Sequence, residues 1–151
     1  MHVAPYLGAL QRAERSLGDG LLKLADHHAS EPDIPDVARK IGAWSHEHVR
    51  ALEAPIARYH ATAPLDAKLL LGALFAGPRH GPIGLLNDLQ DLILLAGQVQ
   101  LAWALIGQVA RALRDEELLD LCKTLPTQSE RQKEWLETRL KAIAPQILTV
   151  S

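Results

Sequence analysis

Glu14 and His48 are the two side chains whose types and positions are best suited to chemistry in this sequence. Both fall on the apolar stripes of predicted helices, where an ionisable group is unusual. If the chain turns near Glu31 to Asp33, equal lengths of helix bring Glu14 to the level of His48 or Leu52. A carboxylate and an imidazole that meet inside a helical bundle can begin a metal site or form a hydrogen-bonded pair. The sequence leaves both interpretations open.

Amide side chains occupy the corresponding level of the second half of the chain. Folding that half about Asp115 brings Gln132 near Gly97 and Gln98, again in the middle of the predicted bundle. Amide oxygens are weak ligands for iron, and a site needs enough anionic oxygen to neutralise the ion. The predicted metal-site residues are Glu14, His48, Gln98 and Gln132.

Four helical stretches must position these residues. Leucine and alanine are abundant, and the apolar residues recur at the alternating three-and-four spacing of bundle helices, so we predict an all-α protein. Gly18 and Gly20 do not shift the phase of the first stripe, so the first helix is predicted to continue through them. Thr127 or Ser129 is a candidate cap for a helical segment that restarts after Pro126. The predicted helices are Val3 to His28, Pro35 to His60 with a kink at Pro55, Pro82 to Arg114, and a fourth from Asp115 with a break at Pro126.

The third helix is apolar around most of its circumference, so other helices or lipid must enclose it. Leu92 to Ala110 could just span a bilayer, which needs about 20 residues. That segment contains Gln98, Gln100 and Gln108, and no basic clusters flank it. We therefore expect a buried helix of a cytoplasmic protein without a membrane partner. The apolar tail with Ile147, Leu148 and Val150 is expected to pack back on the bundle.

Connection lengths suggest how the helices are arranged. The stretch from His60 to Pro82 is much longer than the other two connections and contains a short apolar helix, predicted at Leu65 to Phe75. The chain of 151 residues is long enough for one domain with a substantial core. The prediction is a single four-helix bundle, residues 1–151, with one long crossover between helices two and three.

With this arrangement, and with Glu14 in the first helix and His48 in the second, the chain resembles the ferritin-like superfamily. That resemblance covers nearly the whole chain as topology and implies a di-metal site between the helices. The family pattern places Glu-x-x-His in the second and fourth helices, where this sequence reads Ser45-x-x-His48 and Gln132-x-x-Trp135. The third helix offers amides in place of the family glutamate: Gln98 or Gln100. The resemblance thus implies a degenerate site for one ion at most, with iron, manganese and zinc as candidates.

Other ionisable residues give weaker signals. The formal net charge of -2, with mixed signs along the chain, argues against a nucleic-acid partner. The single cysteine, Cys122, is predicted to be a buried structural thiol. Asp88 and Asp91 are one turn apart on the third helix, so one of them could turn inward, but a solvated helix face is the favoured interpretation. Two histidine groups are candidate clusters at the ends of the bundle: His27 and His28 with Glu31 and Asp33, and His2 with His60 and His80.

Three functional hypotheses follow. The first is a ferritin-like bundle without an intact di-iron site, binding one metal or acting in a stress-related role. The second is a non-catalytic dimerisation or protein-interaction module that uses exposed apolar surface around Leu69 to Phe75 or at the tail. The third is a small-molecule-binding bundle with a pocket at the kinks of Pro55 and Pro126. A homo-oligomer, most simply a homodimer, is expected.

Overall fold

The computed structural model describes residues 2–59 and 78–149, and the regular secondary structure of these residues is entirely helical. Because α3 continues α2 and α6 continues α5, the six helices form four long units, and the predicted all-α four-helix architecture is confirmed. The predictions for His60, Leu65 to Phe75 and Val150 lie outside the described residues. The helices are α1 (Val3–His27), α2 (Ile34–Ala51), α3 (Glu53–Tyr59), α4 (Gly81–Leu113), α5 (Glu116–Thr124) and α6 (Pro126–Leu148).

The first helix continues through its two glycines, as predicted, and Gly18 is a point of close contact with α2. A Cβ atom on Gly18 would lie 2.8 Å from Nε2 of His46 and 3.1 Å from the carbonyl oxygen of Gly42. A Cβ atom on Gly42 would lie 3.2 Å from the carbonyl oxygen of Gly18. The two glycines therefore allow the backbones of α1 and α2 to approach closely, and this fixes how the first hairpin packs.

Both predicted proline interruptions are present. Helix α2 ends at Ala51 and α3 begins at Glu53, because Pro55 has no N–H to donate to the carbonyl of Ala51. Helix α5 ends at Thr124, and α6 begins at Pro126, in the first turn, where a missing N–H costs little. The prolines thus bend two of the four units without ending them.

The ends of α6 differ from the sequence expectations. Leu125 occupies the N-cap position of α6 and makes no capping side-chain hydrogen bond, so the predicted caps at Thr127 or Ser129 are wrong. The helix continues through the tail, where Ile147 is half-buried and Leu148 is 64% exposed. The predicted packing of the tail onto the bundle is therefore wrong for Leu148.

Helix α4 is the central element, and its bounds confirm the predicted third helix. It packs against α1, α5 and α6, while α1 also packs against α2. Of the described residues, Gly81–Leu113 is the one helix long and apolar enough to cross a membrane by length and composition, and 44% of its most apolar window is buried inside the protein. Its inner face therefore belongs to the core, and its outer face carries exposed aliphatic side chains.

Candidate functional site

The structure brings Glu14 and His48 into direct contact, as their predicted levels required. Nδ1 of His48 lies 2.9 Å from Oε1 of Glu14, and both side chains are fully buried. Glu14 comes from the middle of α1 and His48 from the last turn of α2, at similar distances from the turn that joins these helices. The register of the first hairpin therefore produces the pair.

Trp103 of α4 and Gln128 of α6 extend the pair into a network that contacts all four units of the bundle. Nε1 of Trp103 donates to Oε1 of Glu14 at 2.8 Å. Nε2 of His48 lies 2.8 Å from Oε1 of Gln128. The imidazole edge also packs against the indole, with ring centroids 6.1 Å apart and nearly perpendicular rings. This buried network consists of Glu14, His48, Trp103 and Gln128.

The hydrogen bonds of His48 indicate its protonation state. Both ring nitrogens face oxygen atoms, which accept hydrogen bonds and cannot donate here. The contacts with Glu14 and Gln128 are therefore both hydrogen bonds only when both nitrogens of His48 carry hydrogen. Burial by itself lowers the pKa of His48, but the hydrogen bond to Glu14 and the negative charge of Glu14 outweigh it, and the pKa is raised above 6.5. The network therefore favours the imidazolium form paired with a carboxylate.

The donor set of the buried network does not fit a metal centre. Both nitrogens of His48 are engaged, and Oε1 of Glu14 already accepts two hydrogen bonds. Oε2 of Glu14 is buried without a hydrogen-bond partner among the described residues, so it is the one ligand atom left. Within residues 2–59 and 78–149, no three His, Cys, Asp or Glu side chains gather in a way that could hold an ion. One carboxylate oxygen supplies too little negative charge for iron or manganese.

The two predicted amide ligands are placed apart from this pair. Gln132 is fully buried and donates to the carbonyl of Ile41 at 2.6 Å and to Oγ of Ser45 at 2.8 Å, so it bridges α6 to α2. Gln98 makes no hydrogen bond to the pair, and its Oε1 is buried without a partner in the described part of the chain. Five residues separate Gln98 from Trp103, which places them about 140° apart around α4. Because Trp103 faces Glu14, Gln98 points in another direction around α4, and no contact among the described residues joins it to the pair.

Sequence reasoning missed Trp103 and Gln128. Trp103 lies in an apolar helix, and its large ring is by itself a sufficient reason for burial. Its N–H could still have identified it, since a buried Trp N–H needs an acceptor and Glu14 is a buried carboxylate at the same depth. Gln128 follows Pro126 closely and was indistinguishable from a polar residue at a helix start.

A second polar cluster joins the end of α1 to the start of α4. Nε2 of His28 lies 3.0 Å from Oδ2 of Asp88. Asp88 is fully buried and turns inward, whereas the sequence favoured a solvated helix face for Asp88 and Asp91. Nε2 of His27 lies 3.0 Å from Nδ1 of His80. His80 therefore lies beside His27. The candidate cluster of His80 with His2, at the opposite end of the bundle, does not form within the described part of the chain. These contacts show that α4 begins at the end of the bundle where α1 finishes.

A shallow surface cleft of about 310 Å³ opens at the break between α5 and α6, where a pocket was predicted. Trp103, Cys122 and Pro126 are among its lining residues. Cys122 is half-buried, not fully buried as expected, and burial raises the pKa of its thiol to about 11. The thiol therefore stays protonated at neutral pH and is a poor nucleophile.

The outer face of α4 carries a second feature, an apolar stripe exposed to solvent. Its four large members are more than two-fifths exposed: Ile83 at 53%, Leu94 at 57%, Leu101 at 61% and Leu105 at 46%. The positions between them on the same face are small or uncharged polar residues. The complete outer stripe consists of Ile83, Asn87, Gln90, Leu94, Gly97, Leu101, Leu105, Gln108 and Ala112.

The buried network and the outer stripe differ in what they present to a partner. Most hydrogen-bonding atoms of the network are paired within the bundle, whereas the aliphatic side chains of the outer stripe are exposed to solvent. No protein-family model, curated protein or solved structure matches this chain.

Proposed function

We propose that this protein is a non-catalytic homodimerisation module and that the outer stripe of α4 forms the contact between two copies. The single observation that carries the proposal is the exposure of four large aliphatic side chains along one face of the longest helix. Exposed apolar residues are ordinary when scattered, but a contiguous apolar stripe marks an interaction surface.

The absence of charge from the stripe strengthens this interpretation. None of its nine positions is Asp, Glu, Lys or Arg, although the stripe extends for about 40 Å along the helix. Solvent-facing positions of helices usually carry charged residues. The centres of protein interfaces are depleted in charge, and a second copy of this stripe meets the same requirement.

An apolar groove beside the stripe adds to the surface that a second copy could cover. It has a volume of about 280 Å³ and lies between the first turns of α1 and the second half of α4. Tyr6, Leu105 and Val109 are among its lining residues, so it is continuous with the stripe at Leu105. Tyrosine beside an aliphatic groove is typical of the residues that contribute most to binding energy at interfaces.

The buried network supports a structural role in place of catalysis. A general base must present a free nitrogen or oxygen to a substrate. Both nitrogens of His48 and one oxygen of Glu14 are already hydrogen-bonded within the fully buried pair. We assign the network to holding the four helical units in one register.

The exposed area suggests a dimer of moderate affinity. Covering four half-exposed aliphatic side chains contributes about 1 kcal/mol each, so about 8 kcal/mol for two copies. Lost freedom of motion on association costs about 4–15 kcal/mol. Apolar burial along the stripe is therefore of the same order as the cost of association, and the dimer also depends on what the groove contributes.

The substitution Leu101→Asp tests the proposal, with Leu148→Asp as the matched control. The two leucines are 61% and 64% exposed, but Leu148 is not on α4: it is the last residue of α6, whose last turn lies beside Ile83 at the edge of the stripe. Sedimentation equilibrium over a wide range of micromolar concentrations should show a monomer–dimer equilibrium. Leu101→Asp should weaken it by on the order of 100-fold, because an aspartate would be buried without a partner at the interface. Leu148→Asp, at the edge of the stripe, should weaken it far less.

Two outcomes contradict the proposal. The first is a wild-type protein that stays monomeric at the highest concentrations, and the second is equal sensitivity to the two substitutions. Binding of the monomer to neutral lipid vesicles, lost in Leu101→Asp, would assign the stripe to a membrane surface. The polar residues Asn87, Gln90 and Gln108 on the stripe, and the lack of a basic cluster at either end of α4, favour protein over lipid.

The ferritin-like assignment and the metal-binding role stay predictions. One observation keeps the metal role testable, namely the unpartnered Oε2 of Glu14. Metal analysis of the purified protein after reconstitution with iron, manganese or zinc would test it, with Glu14→Gln as the variant that keeps the side-chain volume. Stoichiometric metal that is lost in Glu14→Gln would support a metal site, and metal-free wild type would exclude it.

A further inference from the structure

We infer that the two copies pair through antiparallel α4 helices, related by a two-fold axis that passes between Gly97 and Gln98. This inference rests on the homodimerisation proposed above and adds the direction and register of the contact. Gly97 is the central residue of α4, which runs from Gly81 to Leu113, so the antiparallel pair overlaps along the whole helix.

The spacing of the outer stripe fits this axis. Eight of its nine members fall in pairs at equal distances on either side of the peptide bond between Gly97 and Gln98. In an antiparallel pair each of these eight therefore faces another member of the stripe in the partner copy, Gly97 faces Gln98, and no stripe residue faces a charged one. The facing pairs are Leu94 with Leu101, Gln90 with Leu105, Asn87 with Gln108, and Ile83 with Ala112.

Side-chain volume distinguishes antiparallel from parallel pairing. In the antiparallel pair the large Ile83 faces the small Ala112, and Leu105 faces Gln90. In a parallel pair every residue would face its own copy, so Ile83 would crowd Ile83 while Ala112 would leave a gap against Ala112. Interfaces pack best when large and small residues face each other and the layers are filled evenly.

Gly97 provides the point of closest approach. A Cβ atom at this position would meet nothing within 4 Å among residues 2–59 and 78–149, so packing within this part of the chain does not require glycine here. Glycine in the middle of a helix is unfavourable unless a backbone must come close. At the two-fold axis the missing side chain allows the second α4 to approach, and Gln98 of the partner copy covers the space above Gly97.

The asymmetry of helix ends also favours the antiparallel direction. The start of a helix carries partial positive charge and its end partial negative charge. Antiparallel pairing puts opposite ends of the two α4 helices side by side, whereas parallel pairing puts like ends together. The stripe contains no charged side chains that could compensate for like ends.

Disulfide formation between single-cysteine variants tests the direction. Each variant is made in a Cys122→Ser background, since Cys122 is the single native cysteine. Two cysteines join only when their Cα atoms lie within about 7 Å. Leu94→Cys mixed with Leu101→Cys should give the mixed disulfide roughly tenfold faster than either variant joins to itself, because the facing sites share a high effective concentration. Gly97→Cys lies beside the axis and should join to itself.

The outcomes separate the register from the proposed function. Self-joining of Leu94→Cys without the mixed disulfide would overturn the antiparallel register and leave dimerisation through α4 intact. Sedimentation that shows a dimer, with none of the three variants cross-linked, would overturn both the register and the use of this face. A monomer by sedimentation would remove the proposed function itself.

Discussion

Trp103 and Leu101 are two residues apart on α4 and lie on opposite faces of the helix, in opposite environments. Trp103 is 1% exposed, and its one polar atom donates to a buried carboxylate. Leu101 has no polar side-chain atom and is 61% exposed. On the inner face of α4 the polar atom of Trp103 thus has a partner, whereas on the outer face Leu101 is left exposed by the helices that the structure describes.

This difference shows where function is to be sought. A buried ionisable pair attracts attention in a sequence because such residues are rare in a core. In this bundle the hydrogen bonds of the pair are largely made within the chain, so it contributes stability and specificity of packing. The unsatisfied surface is the apolar one, and it gains most from a partner.

Removing the carboxylate of the network should have the largest effect on stability. Glu14→Ala leaves the buried His48 without its counter-ion and Trp103 without its acceptor, and we expect a loss of about 3–5 kcal/mol in the free energy of unfolding. Urea denaturation measures this loss. Glu14→Gln keeps an acceptor oxygen and should lose less, so it provides a folded variant for comparison.

The same variants sharpen the contrast between the two faces. Glu14→Gln should leave the dimer dissociation constant unchanged, because the network lies on the inner side of α4. Glu137→Ala, which removes only a half-exposed ion pair with Lys133, should change stability by less than about 0.5 kcal/mol. A loss for Glu14→Ala as small as that of Glu137→Ala would contradict the structural role of the network.

Filling the close contact between α1 and α2 should have an intermediate effect. In Gly18→Ala the new methyl group lies 2.8 Å from His46 and 3.1 Å from the carbonyl oxygen of Gly42. Such overpacking costs about 1–3 kcal/mol, and the higher helix propensity of alanine returns about 1 kcal/mol. We expect a net loss of about 1 kcal/mol by thermal or urea unfolding. Gly8→Ala is the control, since its nearest contact is an ordinary 3.5 Å to Arg12.

The stability of the inner network should depend on pH in a defined direction. Because the pKa of His48 is raised from 6.5, its stabilisation is fully present below pH 6.5 and is lost as pH rises through the folded-state pKa. The free energy of unfolding should therefore fall more steeply above pH 6.5 in the wild type than in His48→Gln. Identical slopes for the two proteins would show that His48 does not hold its proton more tightly when folded.

Periodicity and connection lengths were enough to predict the helices and the Glu14–His48 contact. These depend on spacing along the chain, which a sequence contains directly. Sequence spacing did not show that Gln98 points away from the pair, because the rotation of α4 is decided by where the bulk of Trp103 packs. The outer stripe was missed for a related reason: an apolar helix looks the same in sequence whether or not one of its faces lacks a neighbour.

Gly97→Ala is expected to have the smallest effect on stability. Comparing it with Gly18→Ala distinguishes the outer face of α4 from the close contact between α1 and α2. The same methyl group is added to a helical glycine, but at Gly97 it meets nothing within 4 Å in the described part of the chain. The monomer should therefore gain about 0.5–1 kcal/mol in stability, as helix propensity alone predicts. The dimer should weaken, because the methyl group occupies the point where the two α4 helices come closest.

Gly8→Ala is the control and should give the same gain in stability without weakening the dimer. A Gly97→Ala protein that dimerises as tightly as Gly8→Ala would show that the two α4 helices do not cross at this residue.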